Sequence, residues 1–192
     1  MDARKGQLAG RISVDVRTVL VLISPDGRRV RLLRRSADKK LFAGLITGIG
    51  GKVELHRGEG DDIEASLWRE LAEETGLGPE QVSNVRLRLC TTLHRDGAQV
   101  VLLWFTGMLA DVRTPPRCTE GTLEWFDRDA LPDAQMVPTA AAAIRFILDL
   151  RDDDHAIYTA TYGADRHLVM EHRSATVGRA CSPCPGPTER RS

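Results

Sequence analysis

The sequence predicts a single mixed α/β layered domain. Three observations predict it. Apolar, β-branched or alternating runs read as strands, two segments carry helical periodicity, and turn-forming residues separate them. RTVLVLI (17–23) is a strand, ended by the turn chemistry of SPDG, and RRVRLLRR (28–35) alternates as its hairpin partner. A glycine-punctuated loop, FAGLITGIGG, follows. The first helix lies between Asp61 or Asp62 and Gly76, which suits a helix stop. NVRLRLCTTL (84–93) and AQVVLLWFTGML (98–109) are strands joined by an HRDG turn, and TLEWFD (122–127) is a short strand. VPTAAAAIRFILDLR (137–151) is the second helix, with Pro138 in its first turn and Ala141, Ile144 and Leu148 on one stripe. HAIYTATY and HLVMEHR, split by GADR, form a closing hairpin over 155–173.

At 192 residues the chain holds one domain, expected at 14–173 between a flexible arm (1–13) and a disordered tail (174–192) rich in Ser, Pro, Gly and Arg. Charge is balanced, 27 basic against 27 acidic residues, which gives no electrostatic reason to expect nucleic acid or an anionic membrane as partner. No apolar run approaches the ~20 residues that span a bilayer, and the first ten residues carry no signal-peptide pattern. Four scattered cysteines, with no export signal, fit a reducing cytoplasmic location. Cys181 and Cys184 form a lone Cys-x-x-Cys, a weak zinc signal, and the five histidines lack metal-ligand spacing.

The chemistry concentrates in GGKVELHRGEGDDIEASLWRELAEETGL (50–77), which carries eight carboxylates. Asp61 with Glu64 has capping-box spacing. On a helical wheel Ser66, Glu70, Glu73 and Glu74 share a narrow arc, with Ile63, Leu67 and Leu71 beside it and Ala65, Trp68 and Ala72 opposite. The glutamates are three and four residues apart, so they repel, and burial raises the cost. A divalent cation removes the conflict, and hard oxygen ligands point to Mg²⁺ or Mn²⁺. A solvated acidic face is the bland reading, but the Arg69 just before the cluster and the glycines at both ends argue against it.

At these residues the sequence resembles the Nudix hydrolases, whose signature is Gly, five residues, Glu, seven residues, Arg-Glu, apolar, any, Glu-Glu, any, Gly, apolar. RELAEETGL (69–77) matches at every specified position, while the interval from Gly51 to Arg69 is four residues too long. Either Asp61 or Glu59 takes the first acidic position. Asp61 keeps the seven-residue spacing to Arg69 and makes LHRG a single insertion, so economy favours it. The likeness extends over about 17–173 and is strongest to the MutT-like group that includes 8-oxo-dGTP diphosphatase: TVLVLI resembles its first strand, GIGGK its GFGGK, and LEWF its CWF. It implies a Nudix-type α/β/α sandwich with a mixed β-sheet and two main helices.

The resemblance also implies roles. Glu70, Glu73 and Glu74 would bind Mg²⁺ with the Gly50 carbonyl and Glu120. One of Glu73, Glu74 or Glu120 would accept the proton of an attacking water, and Arg69 would orient a helix glutamate. Gly51 and Lys52 would meet phosphate, and Thr18 and Thr47 would line the substrate pocket. Seven basic residues between Arg28 and Lys40 would steer a polyphosphate or form a solvated edge, since Arg29 and Arg31 share a strand face. The positions that read an oxidised purine in the 8-oxo-dGTP enzyme correspond here to Thr47, Thr139 and Ala140, so no carboxylate remains for that task, and the apolar Ile46, Val137 and Ala140 suit a less polar group. Three functions follow in order: a Mg²⁺-dependent pyrophosphohydrolase of a nucleoside triphosphate; the same chemistry on a non-nucleotide or conjugated diphosphate; a Nudix-fold binding module without turnover.

Overall fold

The computed structural model describes residues 13–111, 118–163 and 167–173. The expected arm and tail, together with Cys181 and Cys184, lie outside them apart from Ser13, which opens the first strand. The strands are β1 (Ser13–Ile23), β2 (Arg29–Arg35), β3 (Ile46–Thr47), β4 (Val82–Arg95), β5 (Ala98–Leu109), β6 (Gly121–Asp127), β7 (Tyr158–Tyr162) and β8 (Leu168–Arg173). The helices are α1 (Ile63–Thr75) and α2 (Pro138–Asp149). The sheet runs β3-β2-β1-β5-β4-β7-β8, with β6 on the far edge of β2. It is mixed: β1 is parallel to β5 and β4 to β7, and the other pairs are antiparallel.

Strand alternation divides the core into two layers. Leu20 and Leu22 of β1 pack with Leu67 and Leu71 of α1, whereas Val21 packs with Ala140, Ala143 and Ile144 of α2. Each helix therefore covers one face, as a sandwich requires. In α2 the buried stripe is Ala140, Ala143, Ile144, Ile147 and Leu148, while Ala141, expected on it, is only half-buried. Of the expected apolar far side of α1, Ala65 and Ala72 are exposed, while Trp68 is half-buried against the same cluster as Leu67 and Leu71. No helix among the described residues is long and apolar enough to cross a membrane.

One distortion positions the site. β2 stays beside β1 for two pairs, Leu22 with Arg31 and Ile23 with Val30, then leaves it for β3. The vacated edge of β1 is taken by the loop 49–53. Leu20 N–H donates to the Ile49 carbonyl (2.6 Å), Thr18 N–H to the Gly51 carbonyl (3.0 Å) and Val53 N–H to the Val16 carbonyl (2.9 Å). Gly50, at φ 144, lies so close to β1 that a Cβ there would sit 2.2 Å from the Thr18 carbonyl oxygen. Only glycine allows both this φ and this approach.

Candidate active site

The opening of α1 differs from the expectation. Asp62, not Asp61, is the N-cap, and its side chain accepts from Ala65 N–H at 3.1 Å. The residue three along is therefore Ala65, which has nothing to return, so no capping box forms. Gly76 ends the helix in the left-handed conformation, φ 71, and donates to the Ala72 carbonyl at 2.9 Å.

This one-residue offset decides the acid before the helix. Asp61 is exposed, and Glu59 meets Arg69 instead. Arg69 Nε donates to Glu59 Oε1 at 2.5 Å and Nη2 to Oε2 at 3.2 Å, a two-pronged contact. Glu54 N–H donates to Glu59 Oε2 at 2.6 Å. The preference for Asp61 is thus corrected: the insertion is divided around Glu59, with part of it in a short 3-10 turn at Leu55–Arg57. Arg69 first, helped by the Glu54 amide, outweighs the cost of burial and holds the Glu59 carboxyl down at about 2.

Arg69 organises more than Glu59. Its Nη1 lies 2.9 Å from Glu70 Oε1 and 3.0 Å from Glu73 Oε2, and its Nη2 donates to the Lys52 carbonyl at 2.9 Å. One guanidinium therefore ties together the pre-helix loop, the glycine loop and the second half of α1. Contacts to Glu59 first, then Glu70 and Glu73, outweigh its burial and raise its already high pKa.

The three helix glutamates are not equivalent. Glu73 is 55% exposed and faces Arg69 and Arg57. Glu70 lies against the glycine loop, where a Cβ on Gly51 would fall 2.4 Å from its carboxyl carbon. Glu74 is 8% exposed, and its Oε2 is buried without a hydrogen-bond partner. Burial first, then the charges of Glu70 and Glu120, push its pKa up to about 8, against a Gly50 backbone hydrogen bond that lowers it. Burial also raises Glu70. Glu120 is brought close by the loop after Cys118, where Thr119 N–H donates to the Glu74 carbonyl at 3.1 Å, and it pairs with Lys39 Nζ at 2.7 Å.

Among the described residues no three acidic, imidazole or thiol groups are already gathered round one point. Arg69 draws Glu73 outward, and Lys39 draws Glu120. The residues nevertheless fit a hard divalent cation. Glu74 presents an unsatisfied buried oxygen, Glu70 and Glu120 oppose it electrostatically, and every donor is oxygen.

A cavity of about 510 Å³ adjoins this cluster at Gly50 and Gly51. Its floor is the α2 face of the sheet, with Arg17, Leu102 and Trp104, and its roof includes Phe42 and the start of α2. Thr47, Thr139 and Ala140 all border it. Thr18 borders it too, but alternation puts its side chain on the α1 face with Leu20 and Leu22. Lys52 does not line the cavity; its carbonyl serves Arg69. Ile46 is fully buried. The basic stretch 28–40 is divided: Arg28 and Lys40 are exposed, Arg35 lines the cavity, and others are tied to neighbours. Arg31 is 4% exposed and lies 5.0 Å from the centre of the Trp125 ring, with Arg29 at 5.3 Å, and Arg34 pairs with Glu124 at 2.7 Å.

The sequence reading missed Arg17 and Tyr162 in the cavity wall, because only the sheet register brings β1, β5 and β7 to one floor. It also missed Phe42, whose φ of 56 is uncommon for a bulky residue and is held by Leu45 N–H donating to its carbonyl at 3.1 Å.

Comparison with known proteins agrees with this geometry. The Nudix domain pattern matches residues 14–147. No curated protein sequence matches the chain. Among solved structures, the fold is similar to a MutT protein from Bacillus halodurans (TM-score 0.57, 22% identity, 81% of this chain and 94% of that one). It is similar to a Nudix hydrolase from Nitrosomonas europaea (0.60, 16%, 78% and 78%) and to the dihydroneopterin triphosphate pyrophosphohydrolase of E. coli (0.55, 21%, 70% and 96%). With the Arg-Glu…Glu-Glu helix, the glycine loop and a domain match over most of the chain in hand, the protein belongs to the Nudix family, and is a hydrolase of phosphoric anhydrides in nucleoside diphosphate derivatives.

Proposed function

We propose that this chain is a Mg²⁺-dependent pyrophosphohydrolase that cleaves a nucleoside triphosphate to the monophosphate and pyrophosphate. The observation that carries the reading is Glu74: a buried carboxylate with an unpartnered oxygen, crowded by Glu70 and Glu120, against the Gly50–Gly51 loop that borders a cavity of about 510 Å³. That volume lies in the range of small-molecule sites.

Glu70, Glu74 and Glu120, with Glu73 and the Gly50 carbonyl, would hold the cation; Mn²⁺ satisfies the same oxygen donors. When bound, Mg²⁺ supplies charge neutralisation for the polyphosphate and lowers the pKa of water. The chain's own residues do the rest. Arg69 fixes Glu70 and Glu73 relative to the glycine loop. Gly51 leaves room for the Glu70 carboxylate and for a phosphate beside it. Arg35, which lines the cavity and whose charge reaches Glu74, stabilises the anion at that end. One of Glu73, Glu74 or Glu120 would accept the proton of the attacking water.

The test is a panel of nucleoside triphosphates and conjugated diphosphates with Mg²⁺, read for both phosphate and pyrophosphate. Release of pyrophosphate from triphosphates, lost in Glu74→Gln with the fold intact, supports the reading. Turnover confined to conjugated diphosphates would transfer the chemistry to the second substrate class. Binding without turnover of any of them would reduce the chain to a binding module.

A further inference from the structure

Among the described residues, none of those lining the cavity is Asp, Glu, Asn or Gln. Three carbonyls at its rim are also engaged: that of Leu41 accepts from Arg35 Nε at 3.1 Å, that of Thr139 from the Tyr162 hydroxyl at 2.9 Å, and that of Gly51 from Thr18 N–H. The arginines of the lining, Arg17, Arg35 and Arg95, can only donate.

Arg17 is the donor best fixed for the purpose. It stands on β1 opposite Leu102 of β5, two residues before Val19 opposite Trp104, so its side chain rises from the cavity floor. Asp15 holds one side of its guanidinium: Nε lies 3.0 Å and Nη2 2.9 Å from Asp15 Oδ2. Nη1 and the second hydrogen of Nη2 remain, and together they form an end-on fork of two parallel donors. Such a fork matches two adjacent acceptors, and the O6/N7 edge of an oxopurine presents that pair. Adenine places an amino group, itself a donor, at the same position.

We propose that Arg17, pinned by Asp15, is a specificity-determining residue that selects a 6-oxopurine, guanine or hypoxanthine, over adenine. The proposal rests on the nucleoside triphosphate reading above. An amino group facing the fork would set a donor against a donor where an oxo group makes a donor–acceptor pair, and such mismatches give a polar site its selectivity.

The experiment is steady-state kinetics with ITP, GTP and ATP in Mg²⁺, on wild type, Arg17→Met and Asp15→Asn, with melting curves for each. Wild type should favour ITP and GTP over ATP in kcat/KM by about tenfold or more, ~1.4 kcal/mol. Arg17→Met, which keeps the apolar stem, should bring the ITP:ATP ratio close to one. Asp15→Asn, which loosens the fork, should give an intermediate ratio. A wild-type ratio under about threefold overturns the proposal whatever the variants do. An equal fall for all three nucleotides in Arg17→Met also overturns it, since Arg17 would then be reading phosphate. Failure to turn over any triphosphate would overturn the functional reading and this inference together, whereas equal turnover of all three overturns this inference alone.

Discussion

Arg69 and Glu59 form a two-pronged ion pair, with Arg69 Nε 2.5 Å from Glu59 Oε1, in which the arginine is 17% and the glutamate 6% exposed. Ten residues separate them, and the whole N-terminal entry of α1 lies between. The pair closes that segment into a loop and aims the glutamates that follow.

Glu59→Gln should therefore lower stability by about 2 kcal/mol, the scale of a hydrogen bond to a charged group. Asp61→Asn, at an exposed position, should change it by less than ~0.5 kcal/mol. Urea unfolding of both variants tests this, and equal effects would mean that the pair does not anchor the loop.

The same pair sets an acid dependence. The folded pKa of Glu59 is depressed from 4.5 to about 2, so its ionised form is favoured by folding. Its contribution is present above 4.5 and disappears as pH falls towards 2. The stability difference between wild type and Glu59→Gln should be constant above pH 5 and shrink below it. A difference that stayed flat down to the acid transition would contradict the assignment.

Glu74 has the opposite sign. Its raised pKa means that ionisation is opposed in the folded state, most of all when no cation is present. In EDTA near neutral pH, Glu74→Gln should melt higher than wild type, while Glu73→Gln, which loses its Arg69 contact at an exposed site, should not. Added Mg²⁺ should stabilise wild type and leave Glu74→Gln nearly unmoved. Calorimetry of the three proteins with and without metal decides it.

Gly50→Ala should cost at least ~2 kcal/mol and most activity, since the new methyl would collide with the Thr18 carbonyl at a φ few other residues adopt. Gly58, also at positive φ but with open space around it, is the control: alanine there should cost about 1 kcal/mol. Similar losses at both sites would show that backbone strain alone, not the approach to β1, fixes Gly50.

Selectivity for oxidised guanine should be small. Oxidation at C8 turns N7 from an acceptor into a donor, which disturbs rather than improves a contact with Arg17, and Thr47, Thr139 and Ala140 offer no carboxylate to reward it. The kcat/KM ratio of 8-oxo-dGTP to dGTP should stay below ~10, or ~1.4 kcal/mol. A thousandfold preference would mean that other residues read the base.

The sequence by itself determined the layered fold, the acidic seam of α1 and the glycine loop. These are local signals: strand alternation, helical spacing in RELAEE, and glycine where no Cβ fits. It could not tell Glu59 from Asp61, because both satisfy charge and approximate spacing, and the choice depends on which one the chain folds back onto Arg69. It made Glu70, Glu73 and Glu74 equal, because a helical wheel has no outside. Only packing against the glycine loop and the Glu120 loop buried Glu74 and left Glu73 in solvent. The cavity was least legible of all. Its floor is assembled from β1, β5 and β7, strands as much as 145 residues apart for Arg17 and Tyr162, and its roof from a loop and α2. Sheet register decides which of their side chains meet, and register is a property of the assembled sheet rather than of any one strand.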